Sequence, residues 1–486
     1  MQQASASLSL FEKLETRVLF TGATDMVVHW NELTIDVLRA DTTKPGPGWS
    51  SRAMAMMSLA VFDAVNTLDG SYQPYLLKVH GFNQSNTSMD AAVASAAHRV
   101  LSTLYPQQKQ ALDDDLAESL ATVPDGLKET RGVLLGRFGA DAMLADRAHD
   151  GSDRVVNYQV NPAPGHWQPD PLNDGQIAWG PGWGKVTPFV LRKDDQFQAP
   201  APPALTSAQY AAAFNEVKSL GAKNSTTRTA EQTEIGVFWG YDRTGMGTPP
   251  ALYCQATVVV CKLQHNDIVE NARLFALTNA AMADAGFASW NAKFKYDLWR
   301  PVTAIRRADE DGNAATEQDA TWEPLGAPGG GVVPNFTPPF PAYVSGHATF
   351  GAAAFKVLAD FYGTDSMHFT LHSDELPAVQ RSFDSFSQAA QENGRSRIYL
   401  GIHWNVDDIQ GEAMGRKVAD WTIGHALQPR HNHGQQSVID GTTGLTVGAK
   451  QTESFATITM SPPRIASSIF GETSIDKTDG AALQLV

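Results

Sequence analysis

Apolar residues recur every three or four positions along most of the chain, which is the spacing of one buried helix face. The pattern predicts helices over residues 52–66, 90–105, 107–121, 126–148, 207–220, 229–239, 253–296, 346–361, 375–393 and 403–427. Strand-like alternation of comparable length does not occur. We therefore predict an all-α fold built from helical bundles.

Two long stretches interrupt the helical pattern, at 161–203 and 309–343, and both are rich in proline and glycine. Ordered loops of this length commonly build functional sites. The pattern predicts two halves, each resembling a four-helix bundle, over 27–225 and 226–432. The last residues, 433–486, are rich in Thr, Ser and Gly, and we predict a peripheral tail there with short strands at most.

Composition and charge restrict the class of protein. The chain has 486 residues, of which 42% are apolar, and this is enough to bury a large core and excludes a wholly disordered protein. Its net charge of −15 repels phosphate backbones, so nucleic acid is not an expected partner. Any bound anion would need a local basic pocket. The longest apolar run, 53–65, is too short for a membrane span.

Two further features concern compartment and redox state. Cys254 and Cys261 are seven positions apart, about 10 Å along one helix, which is too far for a disulfide, so free thiols are expected. Residues 1–26 contain no ordinary signal peptide. Residues 11–20 resemble the Leu-Glu-x-Arg-x-Leu-Leu motif of some exported bacterial proteins, which favours a secreted or cell-surface location. A frayed amphipathic turn is the alternative for this segment.

Two segments of the C-terminal half place charged and polar groups where an anion could bind. Lys293 and Arg300 are seven positions apart, so on one continuous helix they would share a face. Ser345 is suited to cap the helix predicted after it, and Gly346 lets a ligand approach the backbone. The free N–H groups of that helix start would favour an anion, and His347 lies beside it, where it could transfer protons.

A third segment carries an arginine, a histidine and an aspartate. His403 and Asp407 are four positions apart and would lie on one helix face, where the carboxylate could fix the tautomer of the imidazole. Arg397 is six positions before His403, about 120° around a continuous helix. A bend near Gly401 would be needed for the two side chains to converge.

The three segments have the patterns Lys-x6-Arg-Pro, Ser-Gly-His and Ser-Arg-x5-His-x3-Asp, in that order. Together they resemble the three-part signature of the superfamily that contains type 2 phosphatidic acid phosphatases and vanadium haloperoxidases. One position departs from that signature, because Val344 stands where the superfamily has proline. We expect this difference to loosen the loop without removing the site.

Further residues resemble the chloroperoxidase branch of the haloperoxidases. Trp290 lies three positions before Lys293, and Phe340 lies five before Ser345, as in chloroperoxidase-type sequences, whereas algal bromoperoxidases tend to have histidine in place of that phenylalanine. The segment around Asp242 resembles the family segment whose aspartate pairs with an arginine of the site. The resemblance therefore implies that Asp242 is the partner of Arg397.

The resemblance implies vanadate as cofactor, bound through vanadium by the imidazole of His403. The groups implied to bind its oxygens are Lys293, Arg300, Ser345, Gly346, His347 and Arg397. His347 would also act as acid–base group, Asp407 would orient His403, and Trp290 with Phe340 would keep the halide side apolar. The implied reaction oxidises a halide with hydrogen peroxide and halogenates a small organic acceptor. Members of the family often assemble as homo-oligomers.

Two alternatives use the same residues. In a soluble acid phosphatase, His403 would attack phosphorus to form a phosphohistidine and His347 would protonate the leaving group. Phosphate and vanadate demand the same charges, so the three motifs do not separate the two activities. The second alternative is an inactive anion-binding surface protein, which the complete set of charged groups argues against.

Overall fold

The computed structural model describes residues 25–44, 46–173, 175–331 and 333–430. The helices of the N-terminal part are α1 (Met26–Ala40), α2 (Pro47–Asp69), α3 (Met89–Leu104), α4 (Lys109–Ala121), α5 (Leu127–Asp146) and α6 (Ala208–Leu220). The later helices are α7 (Ala230–Phe238), α8 (Thr248–Gln264), α9 (Ile268–Tyr296), α10 (Pro301–Arg306), α11 (Gly346–Tyr362), α12 (Phe386–Tyr399) and α13 (Asn405–His425). Strands β1 (Ser366–His372) and β2 (Gln380–Ser385) pair antiparallel, with Phe369 opposite Phe383.

Helix α9 is the central element of the core. It begins with a capping box, in which the Asp267 side chain accepts from the N–H of Glu270 and the Glu270 side chain accepts from the N–H of Asp267. Its surface is buried on nearly every side, and α2, α11 and α13 pack along it. A helix surrounded in this way holds the residues at its C-terminal end in fixed positions.

Glycines allow the helix backbones to approach closely at two places. On α5, a Cβ added to Gly136 would lie 2.3 Å from the carbonyl oxygen of Ala92 on α3. On α13, a Cβ added to Gly415 would lie 2.3 Å from the carbonyl oxygen of Thr349 on α11. Any side chain at these positions would push the helices apart, so the second contact keeps the first turn of α11 close to the middle of α13.

Buried carboxylates fix the long loops to the helices. Asp284 of α9 accepts hydrogen bonds from the backbone N–H groups of Phe189, Val190 and Leu191, at 2.6, 2.7 and 2.8 Å. Burial raises the pKa of this carboxyl group to about 6, although these three hydrogen bonds oppose the rise. The stretch predicted as an ordered loop at 161–203 is thereby attached to the central helix.

The predicted all-α class is confirmed, and the errors lie in individual elements. The helix predicted over 375–393 is wrong in its first part, because β2 occupies Gln380–Ser385 and α12 begins only at Phe386. The helix predicted over 253–296 is two helices, separated where His265 takes a left-handed conformation. The short helix α10 and the first helix, α1, were not predicted.

Other predictions concern the cysteines, the two ends of the chain, its division into two halves and membrane spans. Cys254 and Cys261 are both buried in α8 as free thiols, as expected. The export-like motif at 11–20 and the predicted tail at 433–486 lie outside the described residues, and the division of the chain at 225/226 stays a prediction. Among the helices that the structure describes, none combines the length and apolar character that crossing a bilayer requires.

Candidate active site

The first motif is divided between two helices. Helix α9 ends at Tyr296, where Asp297 turns the backbone into the left-handed region with φ 53°. Arg300 is the cap residue of α10, whose first helical residue is Pro301. The prediction that Lys293 and Arg300 share one helix face is therefore wrong, yet the turn still buries both side chains.

Lys293 holds the loop that precedes the second motif. Its ammonium group donates to the carbonyl oxygens of Pro341, Ala342 and Val344, at 3.0, 3.1 and 2.6 Å. Val344 is fully buried, and the Tyr343–Val344 peptide bond is cis. The loop expected to be looser because proline is replaced is thus anchored by three charge-assisted hydrogen bonds.

The second motif forms the first turn of α11. Ser345 caps this helix, and its hydroxyl oxygen accepts from the N–H of Ala348 at 3.4 Å. Gly346 lies against the indole of Trp290, because an added Cβ would be 3.3 Å from the ring. His347 donates from Nε2 to the carbonyl oxygen of Gly240, at 2.8 Å.

The third motif turns sharply between α12 and α13. Gly401 has a left-handed φ of 75°, which provides the bend that the sequence required near this position. His403 lies just before α13, so it does not share a helix face with Asp407 as predicted. The two side chains still meet, with His403 Nδ1 2.9 Å from Asp407 Oδ2. Since the carboxylate also accepts from the N–H of Trp404, it fixes the position of the ring.

The tautomer of His403 follows from these contacts. Because Nδ1 donates its proton to Asp407, the lone pair of the neutral ring is on Nε2. Nη1 of Arg300 lies 3.0 Å from Nε2 and also donates to the carbonyl oxygen of Ile402, at 2.8 Å. His403 therefore presents an accepting nitrogen surrounded by positive charge, which is the form that binds a metal.

Two buried arginines have donors left over. Arg300 uses Nε on the carbonyl oxygen of Phe340, at 2.8 Å, and Arg397 uses Nη2 on the carboxylate of Asp242. Nη2 of Arg300 and both Nε and Nη1 of Arg397 are buried without a hydrogen-bond partner among the described residues. Leaving buried charged donors unpaired is costly, so these three groups indicate an anionic ligand.

Burial and neighbouring positive charges also lower the pKa values of basic side chains in the site. Burial and the charge of Arg300 lower the pKa of Lys293 well below its usual range, and burial lowers the pKa of Arg300 to about 9. Burial, followed by the charges of Arg300 and Lys293, also lowers the pKa of His403. Burial and then Arg397 lower the pKa of His347 to about 3. Like charges thus crowd a dry site, and a bound anion would relieve their repulsion.

His347, Arg397 and His403 line a small cavity, which we call the inner cavity. Its empty volume is about 290 Å³, and its lining residues are Pro47, Asp242, Pro249, Trp290, Pro338, Phe340, Gly346, His347, Phe350, Arg397 and His403. The lining does not include Lys293, Arg300, Ser345 or Asp407. The lining combines charged groups with aromatic ones, and the ring centroids of Trp290 and Phe340 are 4.9 Å apart. The described residues contain no group of three or more His, Cys, Asp or Glu side chains that could hold a free metal cation. One imidazole nitrogen and unpaired guanidinium donors fit an oxyanion instead.

The structure brings the sequence-predicted residues together and adds others. Asp242 pairs with Arg397, as the resemblance implied, and lies 4.0 Å from His347 Nε2. Pro47 and Phe350 also line the inner cavity but were not singled out from the sequence. Phe350 lies one helical turn after His347, a spacing that could have suggested it. Nothing in the sequence around Pro47 points to the site.

Two family models and one relative match this chain over most of its length. The family model for the vanadium chloroperoxidase N-terminal domain matches residues 21–175, and the model for the second helical-bundle domain of the same family matches residues 273–432. The vanadium chloroperoxidase of Curvularia inaequalis is 29% identical over 489 aligned positions, which cover 79% of each chain.

Solved structures show the same fold. A bacterial vanadium-dependent iodoperoxidase superimposes with a TM-score of 0.71 at 24% identity, covering 84% of this chain and 98% of the other. The holo form of a bacterial vanadium-dependent chloroperoxidase gives a TM-score of 0.63 at 16% identity, covering 80% and 94%. At these identities the structural likeness concerns the arrangement of the helices.

Proposed function

This chain belongs to the vanadium-dependent haloperoxidase family, and from that membership we propose that it binds vanadate and oxidises a halide with hydrogen peroxide. The observation that carries the proposal is the set of three unpaired guanidinium nitrogens, from Arg300 and Arg397, beside the accepting Nε2 of His403. Bound vanadate supplies the Lewis acidity that activates hydrogen peroxide toward a halide. The protein supplies the binding, the protons and the environment.

We propose that Nε2 of His403 is the ligand of vanadium and that Asp407 holds the ring in place. Arg300 and Arg397 have the free donors to bind the oxyanion, while Ser345 and the N–H of Gly346 lie at the start of α11, where the helix dipole favours an anion. The ammonium group of Lys293 donates its protons to three backbone carbonyl oxygens. We therefore propose that Lys293 attracts the oxyanion through its charge, without a direct hydrogen bond to it.

His347 is proposed as the acid–base group. Its Nε2 donates to the carbonyl of Gly240, so the neutral ring has its lone pair on Nδ1, which can take a proton from hydrogen peroxide. The lowered pKa keeps the ring neutral near pH 7, as a base must be. Asp242 lies 4.0 Å from Nε2 and would stabilise the ring once it is protonated.

Trp290 and Phe340 are proposed to form the halide side. Their rings line the inner cavity, and Phe340 also lies 5.1 Å from the ammonium nitrogen of Lys293. An apolar wall removes water from a halide while the nearby positive charges retain it. The halide is oxidised to a hypohalous-acid-like species that halogenates a small organic acceptor.

The test measures two activities on the same preparation. Purified protein is given vanadate, hydrogen peroxide and bromide with monochlorodimedone, and separately p-nitrophenyl phosphate without peroxide. We expect bromination that depends on vanadate and halide. Phosphate ester hydrolysis without bromination at any vanadate concentration would instead establish the phosphatase alternative. Neither activity, with vanadate still bound, would leave the inactive anion-binding protein.

We also propose that the protein is exported and that it assembles as a homo-oligomer. Export is motivated by the acidic charge and by residues 11–20, and assembly by the habit of the family. Fractionation of the producing cells with an antibody tests the first proposal. Light scattering during size-exclusion chromatography tests the second, and a mass of 52.5 kDa would contradict it.

A further inference from the structure

A second, wider cavity opens directly onto the inner cavity, and we call it the outer cavity. Its empty volume is about 990 Å³, against about 290 Å³ for the inner one. The residues shared by both linings are Pro47, Asp242, Pro249, Pro338 and Phe340. A molecule in the outer cavity would therefore lie next to the place where the halide is proposed to be oxidised.

Aromatic rings form a continuous path between the two cavities. Trp179 lines the outer cavity, Trp290 lines the inner one, and Phe340 lines both. The ring centroids of Trp179 are 6.3 Å from Phe340 and 5.2 Å from Trp290. Tyr241 and Phe336 add further rings to the outer lining. Such a surface favours an occupant that is itself flat and aromatic.

The outer cavity differs from the inner one in charge. Its charged lining residues are two acidic and two basic side chains, Asp41, Asp242, Lys44 and Arg243, so they bring no net charge. Arg243 is paired with Glu375 at 2.8 Å, and Asp242 is paired with Arg397. A neutral molecule therefore fits the outer cavity better than a charged one, whereas the inner cavity favours anions.

We propose that the outer cavity binds a neutral aromatic molecule as the organic acceptor, so that halogenation takes place on a bound substrate. This rests on the proposed haloperoxidase function. Hydrogen peroxide takes up one proton and oxidises the halide anion to hypohalous acid, and its second oxygen leaves as water. A ring carbon of the acceptor then forms a bond to the halogen while the oxygen–halogen bond breaks. The ring proton leaves with the released hydroxide as a second water molecule.

The first experiment measures binding without any turnover. Vanadate-free protein is titrated with 2-naphthol by isothermal calorimetry, and we expect saturable binding with one site per chain. Trp179→Ala should weaken this binding about tenfold, because it removes the ring that faces the ligand. Trp179→Phe should restore most of the affinity, since it keeps a ring at the same position.

The matched control is Phe138→Ala, because Phe138 is an aromatic residue, 40% exposed, that lines neither cavity. This variant should bind 2-naphthol as the wild type does. Thermal melts of all variants identify any loss of folding, and Phe336→Ala, which removes another ring of the outer lining and should also weaken binding, serves as the decisive variant if Trp179→Ala does not fold. Absence of saturable binding to the wild type, or equal weakening by Phe138→Ala, would overturn the proposal.

The second experiment measures selectivity with vanadate, hydrogen peroxide and bromide. 2-Naphthol competes with its negatively charged 6-sulfonate, and the product ratio is compared with the ratio that added hypobromite gives. We expect the enzyme to favour 2-naphthol several-fold more than the free reagent does, and Trp179→Ala to reduce that preference. Identical ratios would refute halogenation on a bound substrate. A lack of any bromination would contradict the haloperoxidase function instead, and the vanadate-free titration would still decide whether the outer cavity binds the aromatic.

Discussion

Two buried arginine clusters lie in this protein and differ in one respect. In the first, Arg52 and Arg147 share the carboxylate of Asp150, with side chains 7%, 2% and 2% exposed. In the second, Arg300 and Arg397 lie near Asp407 and Asp242. Each buried side-chain nitrogen of the first cluster has a hydrogen-bond partner, whereas three of the second have none among the residues that the structure describes.

The structural cluster and the binding cluster differ in whether their buried guanidinium nitrogens all have hydrogen-bond partners. Arg147 also donates to the carbonyl oxygens of Pro188 and Thr187, so its charge fastens a loop to the end of α5. Arg300 and Arg397 are just as deeply buried, yet three of their nitrogen atoms have no partner among the described residues, and Arg397 lines the inner cavity. Burial alone would not have distinguished the two clusters, because it is nearly the same in both.

The largest effect is expected for His403→Ala, which removes the one nitrogen proposed to bind vanadium. Vanadate retention and bromination should both fall below detection, and a thermal melt checks that the variant is folded. Vanadium NMR and the bromination assay measure the two losses. His368→Ala is the matched control, since that side chain is 68% exposed on β1. Bromination that survives in His403→Ala would remove this residue from the mechanism.

The comparison itself is tested by removing one arginine from each cluster. Arg397→Ala should weaken vanadate binding roughly a hundredfold or more, because two charge-assisted hydrogen bonds are lost. Arg147→Ala should leave the vanadate affinity unchanged but lower the free energy of unfolding by about 3–5 kcal/mol, because Asp150 loses a buried partner. Vanadate titrations and chemical denaturation separate these outcomes.

Arg397→Ala should also lower stability, because Asp242 is left in a site where its side chain is only 10% exposed. The double variant Arg397→Ala with Asp242→Asn should recover part of this stability but none of the vanadate affinity. If Arg147→Ala weakened vanadate binding as strongly as Arg397→Ala does, the first cluster could not be called structural and the second a binding cluster.

A smaller effect is expected for Asp407→Asn. The amide oxygen can still accept the proton of His403 Nδ1, but the negative charge that makes the ring a better ligand is lost. Vanadate affinity should fall about 10–100-fold, as is usual for a partner of a metal ligand. An affinity equal to that of the wild type would show that Asp407 acts only as the cap of α13. Asp408→Asn, at the next position, separates a general effect of this helix start from a specific one.

The sequence predicted the helices and the residues of the site better than it predicted how they meet. Periodicity locates α3, α4 and α6 within a few residues, because each buries one regular face. It fails over 375–385, where the apolar spacing of a hairpin packed on the core imitates that of a helix. Local spacing does not reveal which of the two a segment adopts, because the choice depends on the partners it packs against.

The site shows the same limit. Asp407 was expected beside His403 because four residues make one helical turn. His403 instead precedes the helix, and Asp407 reaches it from the first turn, where it also accepts from the N–H of the cap residue Trp404. Lys293 and Arg300 converge through a turn at Asp297, and the sequence alone gives no sign of it. The spacing of charged residues in the motifs therefore identified which residues belong to the site, while tertiary packing determined how their side chains meet.

The smallest predicted effect is on how the free energy of unfolding depends on pH, through His347 of the site. The pKa of His347 falls from its usual 6.5 to about 3 on folding, so the unfolded chain binds more protons between these values. Stability from this group is complete above pH 6.5 and is lost as pH falls towards 3, by at most about 1.4 kcal/mol per pH unit. His347→Gln, which does not titrate, should flatten the fall in unfolding free energy of vanadate-free protein between pH 6 and 4, as measured by urea denaturation. Parallel curves for the variant and the wild type would mean that the ring is not held neutral by burial and the charge of Arg397.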